Sequence, residues 1–281
     1  MSQARVGHIA VRLPSGKVLI AGGWISASEA TASAELYDPS LGTFTHVGNM
    51  SVPRARPAGV ALANGDVLIA GGADREGASG ALTAEVFHPA SQTCERVGSM
   101  HVSRLAGSAT VLKDGRVLFA GGGGDRVTAS AEIYDPKTRR FQLTGNMVVS
   151  RYKHTAGLLP DGRVLIAGGS DDRDWNGTMR DAEIYDPSRG TFEATAPLAA
   201  ARFKLPNEAV LLSSGKLLIA GGSSQVEIYD PAAKMFSSAA GQVDEPWHYM
   251  SATKLADGTV LLAGGYPNRI QATAQAWIVR P

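Results

Sequence analysis

The sequence predicts an all-β chain, a six-bladed β-propeller with four strands per blade and three in the last. Three observations carry this reading. A Gly–Gly pair ends an apolar run at Gly22-Gly23, Gly71-Gly72, Gly121-Gly122, Gly168-Gly169, Gly221-Gly222 and Gly264-Gly265. Each run is preceded by a turn dipeptide: Ser15-Gly16, Asn64-Gly65, Asp114-Gly115, Asp161-Gly162, Ser214-Gly215 or Asp257-Gly258. After a variable loop come AELYDP, AEVFHP, AEIYDP, AEIYDP and VEIYDP, with Phe44, Cys94, Phe141, Phe192 or Phe236 seven residues beyond the aromatic. A period near 50 residues with four short strands per unit is the pattern of a propeller.

Each unit reads as strands A to D, from the inside outward. Asn-Gly and Asp-Gly favour the tight turns of two-stranded hairpins, so the dipeptide joins A to B. Strand B is the apolar run, and its terminal Gly–Gly permits positive φ and close backbone approach. Strand C carries Tyr-Asp-Pro, whose aromatic supplies apolar area between sheets. The Asp folds back on its own backbone to start the C–D turn, and D carries the late Phe. The blades are expected at about 1–49, 50–99, 100–146, 147–198, 199–243 and 244–281, within one domain of residues 1–281. Pro281 aligns with the Pro of Tyr-Asp-Pro, so the sixth blade lacks D, and its open edge invites pairing with a second copy.

This pattern resembles the Kelch repeat along essentially the whole chain, and its Ala-, Gly- and Arg-rich repeats are similar to those of bacterial single-domain Kelch proteins. Kelch propellers include adaptors that grip peptides, a copper oxidase (galactose oxidase) and a sialic acid mutarotase, so the resemblance leaves function open. The copper oxidase pattern needs a cysteine crosslinked to a ligand tyrosine. Here Cys94 falls at an outer-strand packing position, which argues against that chemistry.

Composition narrows the classes further. Lys plus Arg is 27 and Asp plus Glu is 26, a net charge of +1, which speaks against a dedicated nucleic-acid binder. With 44% hydrophobic and 19% charged residues, 281 residues can bury a substantial core. A single cysteine excludes an intrachain disulfide or a Cys-rich metal site. No apolar run approaches the roughly 20 residues of a membrane span. The segment Met1-Ser2-Gln3-Ala4-Arg5 has no apolar signal region, so a cytoplasmic location is expected. No phosphate loop, nucleotide fingerprint or zinc signature is present, and neither cofactor nor metal is expected.

Where the repeats agree, the expectation is structural. Strand A opens with Arg5, Arg54, Arg104, Arg151 and Arg202 (or Lys204), and strand C with Glu35, Glu85, Glu132, Glu183 and Glu227. Both starts lie on one rim, so they read as ion pairs. In blade 6 both charges vanish together, replaced by Trp247 and Trp277, which are placed to pack on each other.

Where the repeats break, a site is expected on the rim made by the D–A and B–C loops. Aromatics and basic residues gather there: Trp24, Arg56, Lys153, Trp175, Lys204, Trp247, His248, Tyr249 and Tyr266. Aromatic anchors among cations suit a small or peptidic anionic ligand near the axis. His8 and His154 repeat at one strand position and read as packing residues rather than metal ligands. Glu208 stands where other blades carry Ile9, Ala58, Ser108, Thr155 and Ser251, and an inner-strand carboxylate needs a partner. The competing reading is therefore a cofactor-independent isomerase, lyase or cyclase, with Glu208, Tyr152 and His154 as acid–base groups at the channel mouth.

Overall fold

Among the described residues, twenty-three short strands are hydrogen-bonded into six antiparallel sheets, as the turn spacing requires. The structure is a computed structural model, and it describes residues 1–75, 78, 80–205, 209–267 and 273–281. Two compact units divide the chain, Met1–Thr144 and Gly145–Pro281, and each holds three sheets.

In the first unit, blade 1 is β1 (Ile9–Arg12), β2 (Val18–Ala21), β3 (Ala34–Asp38) and β4 (Thr43–Val47). Blade 2 is β5 (Ala58–Ala61), β6 (Val67–Ala70), β7 (Ala84–His88) and β8 (Thr93–Arg96). Blade 3 is β9 (Ser108–Val111), β10 (Val117–Ala120), β11 (Ala131–Asp135) and β12 (Arg140–Leu143). In the second unit, blade 4 is β13 (Thr155–Leu158), β14 (Val164–Ala167), β15 (Ala182–Asp186) and β16 (Thr191–Thr195). Blade 5 is β17 (Val210–Leu211), β18 (Leu217–Ile219), β19 (Gln225–Asp230) and β20 (Met235–Gln242). Blade 6 has three strands, β21 (Ser251–Lys254), β22 (Val260–Ala263) and β23 (Ala276–Val279). The strand assignment matches the sequence reading, down to the missing fourth strand.

Strand B is covered on both faces, and Val67, Leu68, Ile69 and Ala70 are all buried. Apolar cores therefore form between neighbouring sheets, one joining Ile9, Leu19 and Leu36 of blade 1 to Val67, Ile69 and Phe87 of blade 2. The repeated aromatics meet across strands C and D. Ring centroids are 4.8 Å apart for Tyr37–Phe44, 4.9 Å for Tyr134–Phe141, 4.7 Å for Tyr185–Phe192 and 4.9 Å for Tyr229–Phe236. In blade 2, Cys94 takes the place of the Phe opposite Phe87, and burial pushes its thiol up to about 12, where it is inert. The Asp of the C–D turn accepts from its own backbone two residues on, as Asp38 does from Ser40 N at 2.9 Å.

In each of blades 1 to 5 an Arg–Glu pair ties the segment before strand A to strand C of the same blade. Salt bridges are 2.9 Å for Arg5–Glu35 and Arg54–Glu85, 3.1 Å for Arg104–Glu132 and 2.8 Å for Arg151–Glu183, and Arg202 closes the series with Glu227. Arg202 is thus the repeated arginine, and the two extra residues of blade 5 fall between Lys204 and Ala209. Each arginine also donates to the carbonyl of the first Gly of its own blade's pair, as Arg54 does to Gly71 at 2.9 Å. Each glutamate accepts backbone N–H groups of the segment leading into strand A, from Ser2, Ser51, His101, Val148 and Ala199. Burial lowers the pKa of Arg54, Arg104 and Arg202 against the opposing pull of their glutamates. For Glu35 burial pushes upward, but hydrogen bonds from Ser2 and the charge of Arg5 outweigh it and hold the carboxyl below its ordinary range.

The glycine pair explains the interblade spacing. A Cβ on Gly71 would stand 2.3 Å from the carbonyl oxygen of Arg104, with φ at +71°. The next residue, Gly72, donates its N–H to that same carbonyl at 2.8 Å. In blade 6 the two tryptophans replace the ion pair: Trp247 and Trp277 stack at 5.2 Å, and Trp247 Nε1 donates to Asp244 at 3.0 Å.

Candidate functional site

Two residues beyond each repeated arginine, and beyond Trp247 in blade 6, the chain turns left-handed, a conformation that costs a non-glycine residue about 1–2 kcal/mol. In the first unit these residues are Gly7, Arg56 and Ala106, with φ of 68°, 51° and 53°. In the second they are Lys153, Lys204 and Tyr249, each at 54°. The strain is held by hydrogen bonds from one blade to the next, Arg56 N to Gly7 O at 2.6 Å, Ala106 N to Arg56 O at 3.0 Å and Tyr249 N to Lys204 O at 2.7 Å. Blade 1 places glycine here and blade 3 alanine, whereas blades 2, 4, 5 and 6 carry the large side chains of Arg56, Lys153, Lys204 and Tyr249.

In the second unit these positions gather a cluster of aromatic rings and cations. Lys153 and Lys204 are only 7% and 6% exposed. Lys153 Nζ donates to Tyr152 Oη at 3.0 Å and to Asp174 Oδ1 at 2.5 Å, and Tyr152 donates to the same carboxylate oxygen at 2.7 Å. Lys204 Nζ lies over the Trp175 ring at 3.9 Å, with Phe203 at 4.9 Å and Tyr266 at 5.6 Å. His248 is buried edge-on to Trp175 at 4.9 Å, and its ring is 5.8 Å from Tyr266. Tyr266 in turn lies 6.0 Å from Tyr249. A cation over ring faces is attracted by their quadrupoles, most strongly when desolvated, so the cluster keeps two charged lysines out of water.

Electrostatics follow from that geometry. Burial raises the Asp174 pKa, but hydrogen bonds from Lys153 and Tyr152 and the charges of Lys153 and Lys204 outweigh it and hold the carboxyl below its usual range. The site therefore holds one carboxylate, that of Asp174, at neutral pH.

Of the residues expected at the rim, the structure brings together Tyr152, Lys153, Trp175, Lys204, His248, Tyr249 and Tyr266. His154 is buried at the start of β13, with a Cβ on Gly169 falling 2.9 Å from its own Cβ. In the first unit, Trp24 bridges Val6 and Ala30, and a Cβ on Gly7 would lie 3.0 Å from Arg56 and 3.7 Å from Trp24. These two therefore flank Gly7 as a second cation and indole on their own unit. Trp247 is 5% exposed and belongs to the core between blades 5 and 6, the mutual packing with Trp277 that its position suggested. Glu208 lies outside the described residues. Among the described residues, no group of three or more His, Cys, Asp and Glu side chains is placed to hold a metal ion.

Sequence reasoning did not single out Asp174 as the lysine's partner. The left-handed turn also went unread, although Gly7 at the matching position of blade 1 was the available signal. The partnership of Asp174 had no local signal, because it joins a B–C loop to a D–A loop.

Residues 8–51 match the family model of the Kelch motif, a span that runs from just before β1 to just past β4. The first blade is thus similar to a Kelch motif. Blades 2 to 5 repeat its strand order, glycine pair, arginine and glutamate, and blade 6 repeats the glycine pair on three strands. No curated protein matches the chain. Among the described residues, no helix is long and apolar enough to cross a membrane.

Proposed function

We propose that this Kelch protein is a binding module whose ligand is a small or peptidic anion, held by Lys153 and Lys204 among Tyr152, Trp175, His248, Tyr249 and Tyr266. The observation that carries this reading is the pair of lysines kept buried and left-handed at equivalent positions of adjacent blades, each against an aromatic face. Asp174 already meets Lys153 here and the Trp175 face meets Lys204, so a ligand that fits this site offers the same chemistry, an anion beside an aromatic ring. Trp24 and Arg56 also lie beside Gly7 on the first unit.

The test is retention of small carboxylates and acidic peptides from a metabolite and peptide extract, read by mass spectrometry with wild type, Lys153→Met and Lys204→Met. Retention of anionic compounds by wild type, lost in either variant, is the expected outcome. Retention of neutral compounds, or of anions equally by all three proteins, overturns it.

A second reading rests on Tyr152, whose hydroxyl lies between Lys153 and Asp174 and is placed for proton transfer. It makes the same rim a cofactor-independent isomerase, lyase or cyclase, with His154 and Glu208 as further acid–base groups. Conversion of a retained compound into an isomer or smaller product, abolished by Tyr152→Phe and Glu208→Gln, would favour it over binding.

For the protein partner, we propose a second copy of this chain paired along β23. That strand ends its sheet, Ala276 and Ile278 are exposed on it, and its sequence Ala-Trp-Ile-Val carries no charge to discourage pairing.

A further inference from the structure

The residues that fill the lysine cluster come from one turn. Asp174–Gly177 forms a single 3-10 turn in the B–C loop of blade 4. Asp174 supplies the carboxylate that meets Lys153 and Tyr152, and Trp175, the next residue, supplies the indole that covers Lys204. We propose that this turn is an internal occupant of the ligand site, Asp174 standing where a ligand carboxylate binds and Trp175 where a ligand aromatic binds, and that the ligand is a peptide carrying an acidic residue beside an aromatic one, which displaces the turn. The proposal rests on the anion-binding reading above and adds to it the ligand class and the means of regulation.

Three observations favour an occupant that leaves over a fixed wall. Trp175 is 42% exposed and the Asp174 side chain 36%, whereas the groups they cover, Lys153, Phe203, Lys204 and His248, are all buried. Asp174 has a φ of +51°, a strain that is relieved once the turn departs. The hydrogen bonds that shape the turn are local: Asp174 N to Asp171 O at 3.0 Å, Asn176 N to Arg173 O at 3.2 Å, Thr178 Oγ1 to Trp175 O at 2.8 Å, and Ser170 Oγ to Asp174 O. Its base is fixed, since Ser170 bridges both Tyr152 and Thr178. Residues 171–177 can therefore swing out together while their flanks stay in the sheet, exchanging one carboxylate and one indole for those of the ligand. A peptide that reproduces both contacts competes with a tethered copy at high effective concentration, so the turn sets a threshold for binding.

The experiment titrates the full chain with the hexapeptide Gly-Gly-Asp-Trp-Gly-Gly and with its Asn-Trp counterpart, by calorimetry. The proteins are wild type, Asp174→Asn, Asp174→Asn/Trp175→Ala and Lys153→Met. The Asp-Trp peptide is expected to bind the double variant about tenfold tighter than wild type, equivalent to about 1.4 kcal/mol. Asp174→Asn should fall between them, and it carries the test alone if the double variant fails to fold. Lysine-dependent binding that is equally tight in wild type and both variants overturns the turn as occupant and leaves the anion-binding reading standing. Equal binding of the Asn-Trp peptide, or binding of small carboxylates but of neither peptide, overturns the ligand class. Peptide binding unchanged by Lys153→Met overturns this proposal together with the anion-binding reading.

Discussion

Removing one member of a buried Arg–Glu pair leaves the other charge in a dry site, so Glu132→Gln and Arg104→Met should each cost about 3–5 kcal/mol. Arg104→Met with Glu132→Leu should cost far less, because blade 6 shows that an apolar pair fills the same two positions. Urea denaturation of the three variants checks this. Additive losses in the double variant would mean that the two side chains stabilise independently, through their backbone hydrogen bonds rather than through each other. The pairing itself was legible in the repeats, since Trp247 and Trp277 replace both charges at once. The glutamates' second task, accepting N–H groups of the D–A segment that leads into the same blade, was not legible, because backbone groups leave no trace in a sequence.

At the scale of elements, the glycine pair and the open strand make separate predictions. Gly71→Ala sets a Cβ against the Arg104 carbonyl in a left-handed conformation and should destabilise by well over ~1 kcal/mol, whereas the same change at Gly115 meets no atom within 4 Å and should lose only the conformational part. Thermal melting of the two variants separates close approach from φ. For β23, wild type should associate as concentration rises, and Ile278→Lys should abolish that association in sedimentation runs. Concentration-independent monomer in wild type, or a dimer that survives Ile278→Lys, would remove this edge as the contact. The turn at Asp174–Gly177 belongs to the same scale. Its length and charge were visible in the chain, but its docking needed β13 beside β14 to reach Lys153 and blade 5 beside blade 4 to reach Lys204.

Over the molecule as a whole, the carboxylates set the pH response. Glu35, Asp114 and Asp174 are held below their ordinary values by hydrogen bonds and neighbouring cations that outweigh the upward push of burial. A group whose folded pKa is lowered contributes its full stability above the unfolded pKa and loses it as pH falls through the folded one. The thermal midpoint should therefore be flat around neutrality and fall steeply below about pH 4. A midpoint that holds steady into that acid range would mean that the buried pairs do not depend on charge.

The sequence by itself determined the fold class, the strand assignment and the Arg–Glu pairing. Repetition makes them legible: a residue that recurs five or six times at one spacing must do one local job, and a position where two residues change together names its partner. Only the tertiary structure decided which rim residues form a site. It drew Trp247 into the core, left Trp24 and Arg56 beside Gly7, and joined Asp174 and Trp175 to two lysines. Those contacts run between loops of different blades, whose sequences do not repeat, and distance in space between them is set by the packing of sheets.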